Sequence, residues 1–152
     1  MFFRVQDEHS RAQYLNSEGI FAEDQSTSMT FNIRIHYRSI RDEIEKHLDW
    51  ANRDPTCLIS TYARQDVAEE QARLRINRGR EEVVIFVIDT AQGIGGAQYR
   101  NLRPLARKVN FQIPDQAWNN SKYEWIFLEQ IPDHMIVGTI SLKLDVTITA
   151  CS

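Results

Sequence analysis

The chain has 152 residues, 42% of them hydrophobic and 26% charged, which suits one soluble domain with its own core, expected over residues 1–152. A formal charge of −3 excludes the global basic field of a tight nonspecific nucleic-acid binder. No apolar run approaches the roughly 20 residues of a membrane span, the start Met1-Phe2-Phe3-Arg4 lacks the pattern of a secretory signal, and neither the two cysteines nor the four scattered histidines make a metal or redox motif.

In chain order, Phe2 to Val5 reads as a short strand carrying one charge, Arg4. Residues 7–16 read as a helix with Ala12 and Leu15 inward and Gly19 as its stop. Ile20 to Ala22 is extended, and the polar, Ser/Thr-rich stretch from Glu23 to Thr30 is a loop. A clearer helix begins at Ser39 and repeats Ile40, Ile44 and Leu48 at i+4 down to Trp50, where Asn52-Arg53-Asp54-Pro55 turns the chain. His47 and Asp49 on this helix have no nucleophile attached, so His47 is read as a partly buried helix residue and not a catalytic one.

Cys57 to Tyr62 is a second long strand, with Cys57 as a small core residue. Asp66 opens a helix with Val67, Ala68, Ala72 and Ile76 inward, acids first and arginines last, in accord with the helix dipole, and Gly79 ends it. Val83 to Ile88 is a buried strand. Gly93-Ile94-Gly95-Gly96 is a flexible loop, because Gln98 stands where a dinucleotide fingerprint needs its third glycine. Asn101 to Val109 reads as a short helix, and Gln112 to Asn120 as a loop. Ser121 to Pro132 reads as one strand, with Tyr123, Trp125 and Phe127 on one face and Glu124, Ile126 and Leu128 on the other. Met135 to Ile140 and Leu142 to Thr149 are closing strands. Helices early and strands late, without βαβ alternation, predict an α+β fold: two small, mainly antiparallel sheets packed together with flanking helices.

Three polar residues sit at strand positions: Arg4, Ser60 (followed by Thr61) and Glu124, the last a carboxylate where burial is expensive. In order, Phe2-Phe3-Arg4-Val5, Leu58-Ile59-Ser60-Thr61-Tyr62 and Tyr123-Glu124 followed by Ile131-Pro132 and Ile136-Val137-Gly138 resemble the mono-ADP-ribosyltransferase family of the cholera-toxin and heat-labile-enterotoxin type. That family carries an aromatic-x-Arg strand, a Ser-Thr-Ser strand, and a Glu before a Gly-x-Ile-Pro turn. The resemblance spans residues 2–140, and the chain also resembles small fungal domains of unassigned activity. Anchoring on the Tyr-Glu pair would put Ile126 in the catalytic place; the Ile-Pro anchor is preferred because it needs no gap. Departures are Tyr62 for the last hydroxyl of Ser-Thr-Ser, Glu129-Gln130 for the glycine turn, and Lys122 where arginine-modifying members carry a second Glu and others a Gln.

The resemblance implies an ADP-ribosyltransferase-like fold with NAD as co-substrate and no metal. It implies Glu124 as the carboxylate beside the ribose anomeric carbon, Ser60 as its orienting hydroxyl and Arg4 as the pyrophosphate fork, with Thr61 holding the strand. Tyr62, with Tyr14 and Phe21 behind it, is the candidate to stack on nicotinamide. Trp118, Asn119, Asn120 and Lys122 would face the acceptor, whose identity the sequence does not give. Lys122 would repel a guanidinium, which argues against arginine and suits an anionic partner such as a nucleic acid or a phosphate-bearing molecule. The rival readings are a non-catalytic binding module on the same fold and an NAD glycohydrolase.

Overall fold

The computed structural model describes residues 1–52, 54–92 and 96–142. The glycines expected to loop at 93–95, the closing strand beyond Leu142, and Cys151 lie outside the described residues. The described chain is α+β, with two antiparallel sheets and four helices. The strands are β1 (Phe2–Gln6), β2 (Gln13–Leu15), β3 (Gly19–Phe21), β4 (Leu58–Tyr62), β5 (Val84–Ile88), β6 (Tyr99–Asn101), β7 (Glu124–Leu128), β8 (Gln130–Pro132) and β9 (Ile136–Ile140). The helices are α1 (Ile33–Leu48), α2 (Gln65–Asn77), α3 (Leu102–Lys108) and α4 (Asp115–Ser121). One sheet runs β6-β7-β4-β1-β5-β9 and the other β2-β3-β8.

The alternation expected on the strand at Glu124 is present, and it divides the core. Ile126 and Leu128 join Leu58 under α1 and α3, packing with Ile40, Ile44, Leu48, Leu102 and Leu105. Phe127 points to the opposite face with Phe2, Ile59, Phe86 and Ile88, where Ile20 and Ile131 of the small sheet meet it. A third cluster sets Val5 and Ile85 against Ala68 and Ala72 of α2. Burying each large aliphatic of the α1 stripe stabilises the fold by about 1.5–3 kcal/mol, enough to hold a helix that would be marginal alone.

Four readings of local structure are corrected. Residues 7–16 do not form a helix. The Asp7 carboxylate accepts the His9 N–H at 2.7 Å, and Ser10 Oγ accepts the Asp7 N–H at 2.9 Å, so the chain turns and enters β2. Arg75 holds the same carboxylate at 3.2 Å, a partner that no local pattern reveals. The helix placed at Ser39 begins at Ile33, because the Asn32 side chain accepts the Arg34 N–H and caps it. The stretch expected to be a loop before Asn120 folds into α4 after Pro114. Ser121 to Pro132 is not one strand: the last residue of α4 comes first, and Glu129, at φ 67°, bends β7 out of the large sheet and into β8 of the small one. Among the described residues, no helix is long and apolar enough to cross a membrane.

Candidate functional site

Strand pairing brings the three expected polar positions to the centre of the large sheet. Ser60 lies opposite Ile126 and Tyr62 opposite Glu124, so Ser60, Tyr62 and Glu124 share the face covered by helices. The Ser60 hydroxyl donates to Glu124 Oε2 at 2.9 Å. Glu124 is 7% exposed, and a carboxylate that deep needs partners. Thr61, on the opposite face of β4, donates from Oγ1 to the Trp125 carbonyl at 2.7 Å and ties β4 to β7 beside the site.

Arg4 arrives from the other side. By alternation it shares the face of Phe2, opposite Phe86, which is the face the small sheet covers. β1 pairs with five residues of β5 but meets β4 at a single register pair, Phe3 opposite Tyr62. Where the two strands part, the Arg4 guanidinium stands in for a backbone donor. One terminal nitrogen donates to the Ser60 carbonyl at 3.0 Å and the other to the Ala12 carbonyl at 3.1 Å. Its Nε is buried and has no hydrogen-bond partner among the described residues. Burial, then repulsion from Arg75, lowers the Arg4 pKa to about 10, and Glu124 is among the charges that pull it back up. Arg4 is therefore still a full cation at neutral pH. The structure joins Ser60 to Glu124 directly and joins Arg4 to them through the Ser60 backbone.

Two residues of α1 complete the surroundings. His47 Nε2 lies 3.8 Å from Glu124 Oε2, and its Nδ1 lies 3.5 Å from Thr56 Oγ1. Glu43, 4% exposed, accepts the Cys57 N–H at 3.1 Å and fixes the helix to the start of β4. Sequence reasoning set His47 aside and passed over Glu43. The available signal was that both fall within the inward stripe of Ile40, Ile44 and Leu48, at i+3 and i+7 from Ile40, where a polar side chain needs a buried partner. Burial, with Glu43 nearby, pushes the Cys57 thiol up, so it is unreactive at neutral pH.

Tyr62 is half-buried against the α2 cluster. Its phenol is pushed up by burial and by the Glu124 charge, against the pull of Arg75 and Arg4. Tyr14 packs on Phe86, with ring centroids 5.1 Å apart, and its hydroxyl donates to Asp133 at 2.9 Å; Phe21 lies in β3 of the small sheet. Trp118, Asn119 and Asn120 lie on α4 and Lys122 follows it, directly before β7, with Trp118, Asn119 and Lys122 exposed. Two surface cavities occur elsewhere, about 380 Å³ beside Arg80 and Leu142 and about 230 Å³ beside Met29 and Gln130. Neither is lined by Arg4, Ser60 or Glu124. Among the described residues, no group of three or more His, Cys, Asp or Glu could hold a metal ion.

A family model described as "Domain of unknown function (DUF7587)" matches residues 1–145. No curated protein and no solved structure matches the chain.

Proposed function

We propose for this chain, which belongs to the DUF7587 family, that it binds NAD and transfers its ADP-ribosyl group, with release of nicotinamide. The observation that carries this reading is the hydrogen bond of 2.9 Å from Ser60 Oγ to a nearly buried Glu124, with the Arg4 guanidinium on the carbonyl of the same serine. In the proposed step the bond between the ribose anomeric carbon and the pyridinium nitrogen breaks, and its electron pair leaves with neutral nicotinamide. The Glu124 carboxylate faces the oxocarbenium charge that develops, and weak hydration strengthens its field. Ser60 holds the carboxylate's orientation. Arg4 supplies a planar cation for the pyrophosphate, and Tyr62, opposite Glu124 on the same sheet face, is the ring for the nicotinamide. An acceptor lone pair then bonds to the anomeric carbon and the acceptor loses its proton; with water in that place the product is free ADP-ribose.

Nicotinamide release from NAD, followed by chromatography, tests the reading. The chain is expected to release nicotinamide, and Glu124→Gln to lower the rate by at least about a hundredfold while the thermal midpoint stays close to that of the parent. Equal rates in the two proteins would overturn the role of Glu124. Release that does not depend on any added acceptor would favour the glycohydrolase.

A second reading, a non-catalytic binding module on the same architecture, is favoured by a different observation. Both terminal nitrogens of Arg4 are taken up by carbonyls, and neither Arg4 nor Glu124 is more than 7% exposed. Absence of NAD binding at millimolar concentration supports that module against the enzyme.

A further inference from the structure

At the end of the large sheet where β7 begins, two aromatic rings carry cations. The Arg103 guanidinium lies 3.6 Å from the Trp118 ring centroid and is fixed there by donating to Ser121 Oγ at 2.7 Å and to the Trp118 carbonyl at 2.6 Å. Tyr123 has Arg64 at 5.1 Å and Lys122 at 4.8 Å from its ring centroid. Asn101 donates to the Lys122 carbonyl at 3.0 Å and so ties β6 to the same corner. The surface is open: Trp118 is 47% exposed, and Arg64 and Lys122 are exposed.

Charge is distributed unevenly around it. The chain carries −3 overall, yet the segment from Thr90 to Pro114 holds Arg100, Arg103, Arg107 and Lys108 and no acid. The acids nearby are Glu124, next to Tyr123 but only 7% exposed and bonded by Ser60, Asp66, which is paired with Arg64 at 2.7 Å, and Asp115 at the far end of α4. The Tyr123 phenol is held below its ordinary range, first by hydrogen bonding from Lys122, then from Arg64, with their charges adding to it.

We propose that this surface binds single-stranded nucleic acid, with Trp118 and Tyr123 as stacking platforms for bases and Arg103 and Lys122 facing phosphates. Planar rings beside fixed cations match a strand that presents flat bases and a phosphate at every step. An acidic peptide would use the cations and leave the exposed indole without a partner. The binding stands apart from the NAD chemistry; only the further step, that the bound strand is the ADP-ribosyl acceptor, rests on the reading above.

The test is fluorescence anisotropy of a labelled twelve-nucleotide oligo-dT and oligo-U strand titrated with the whole chain. Saturable binding is expected, weakening by about sevenfold between 50 and 200 mM salt if two phosphates are neutralised. Trp118→Ala and Lys122→Glu, both at exposed positions, should each weaken it by at least about fivefold. Glu124→Gln should bind the strand as well as the parent even where nicotinamide release is lost, which separates this proposal from the catalytic one. No binding at 50 mM salt, affinity unchanged in both surface variants, equal displacement by poly-glutamate, or preference for duplex would each overturn it.

Discussion

Glu129 stands at φ 67°, in the left-handed region, where β7 hands the chain to β8. Its backbone is held on both sides: its N–H donates to the Cys57 carbonyl at 2.7 Å and its carbonyl accepts from Ala22 at 2.8 Å. A glycine would take this φ without the Cβ penalty that Glu129 carries. Glu129→Gly should raise stability by about 0.5–1 kcal/mol, since it removes a left-handed penalty of roughly 1–2 kcal/mol and adds part of it back as unfolded-chain entropy. A urea midpoint that falls would contradict this. Asp24 is a residue-scale case with a pH signature. Its carboxyl accepts from Thr27 and Ser26 and is held at about 2, below the ordinary 3.8. Because the folded value is depressed, its contribution is complete above about pH 4 and is lost as pH falls through about 2. The group is open to solvent, so that contribution is about 1 kcal/mol or less. Asp24→Asn should therefore lower the denaturation midpoint at pH 7 and have a much smaller effect at pH 2. An equal effect at both pH values would sink the assignment. His47 and Glu43 show what a single residue can hide: the periodicity that gave α1 its inward stripe also contained these two, but which carboxylate or N–H they meet depends on β4 and β7.

At the scale of elements, the long apolar pieces were legible and the joints between them were not. The strands at Phe2, Leu58 and Val84 and the apolar faces of α1 and α2 follow from alternation and i+4 spacing, which act within one segment. The turn at Asp7 is set by side-chain bonds and by Arg75 of a distant helix, and α4 forms behind Pro114 despite two asparagines of low helix propensity. The split of the Ser121 to Pro132 segment depends on a second sheet being present to receive β8. Gly19 is the point where that sheet tolerates no side chain. It pairs with Pro132 at φ 118°, and a Cβ there would lie 2.2 Å from the Ile131 carbonyl oxygen. Gly19→Ala should cost about 3 kcal/mol or more, read as a lowered thermal midpoint. A loss below about 1 kcal/mol would mean that β3 and β8 pair less tightly than this.

At the scale of the whole molecule, the α+β class and the two antiparallel sheets were legible from the order of helices and strands. Arg4, Ser60 and Glu124 could be singled out as polar residues among apolar strand neighbours. Their relative placement was not legible. Alternation puts Arg4 on the face away from Ser60 and Glu124, and only the parting of β1 from β4 lets its guanidinium reach the Ser60 carbonyl. That parting is a property of the assembled sheet. A long, planar cation is needed to cross it, and lysine's single ammonium lacks the fork of separate nitrogens that reaches the Ser60 and Ala12 carbonyls.

The proposal that Arg4, Ser60 and Glu124 serve one NAD molecule is tested by calorimetric titration of NAD into the chain and into Arg4→Lys. Saturable binding by the parent and affinity about tenfold weaker in Arg4→Lys are expected, with both proteins folded by circular dichroism. No heat of binding from the parent up to millimolar NAD, or the same affinity in both proteins, would contradict it.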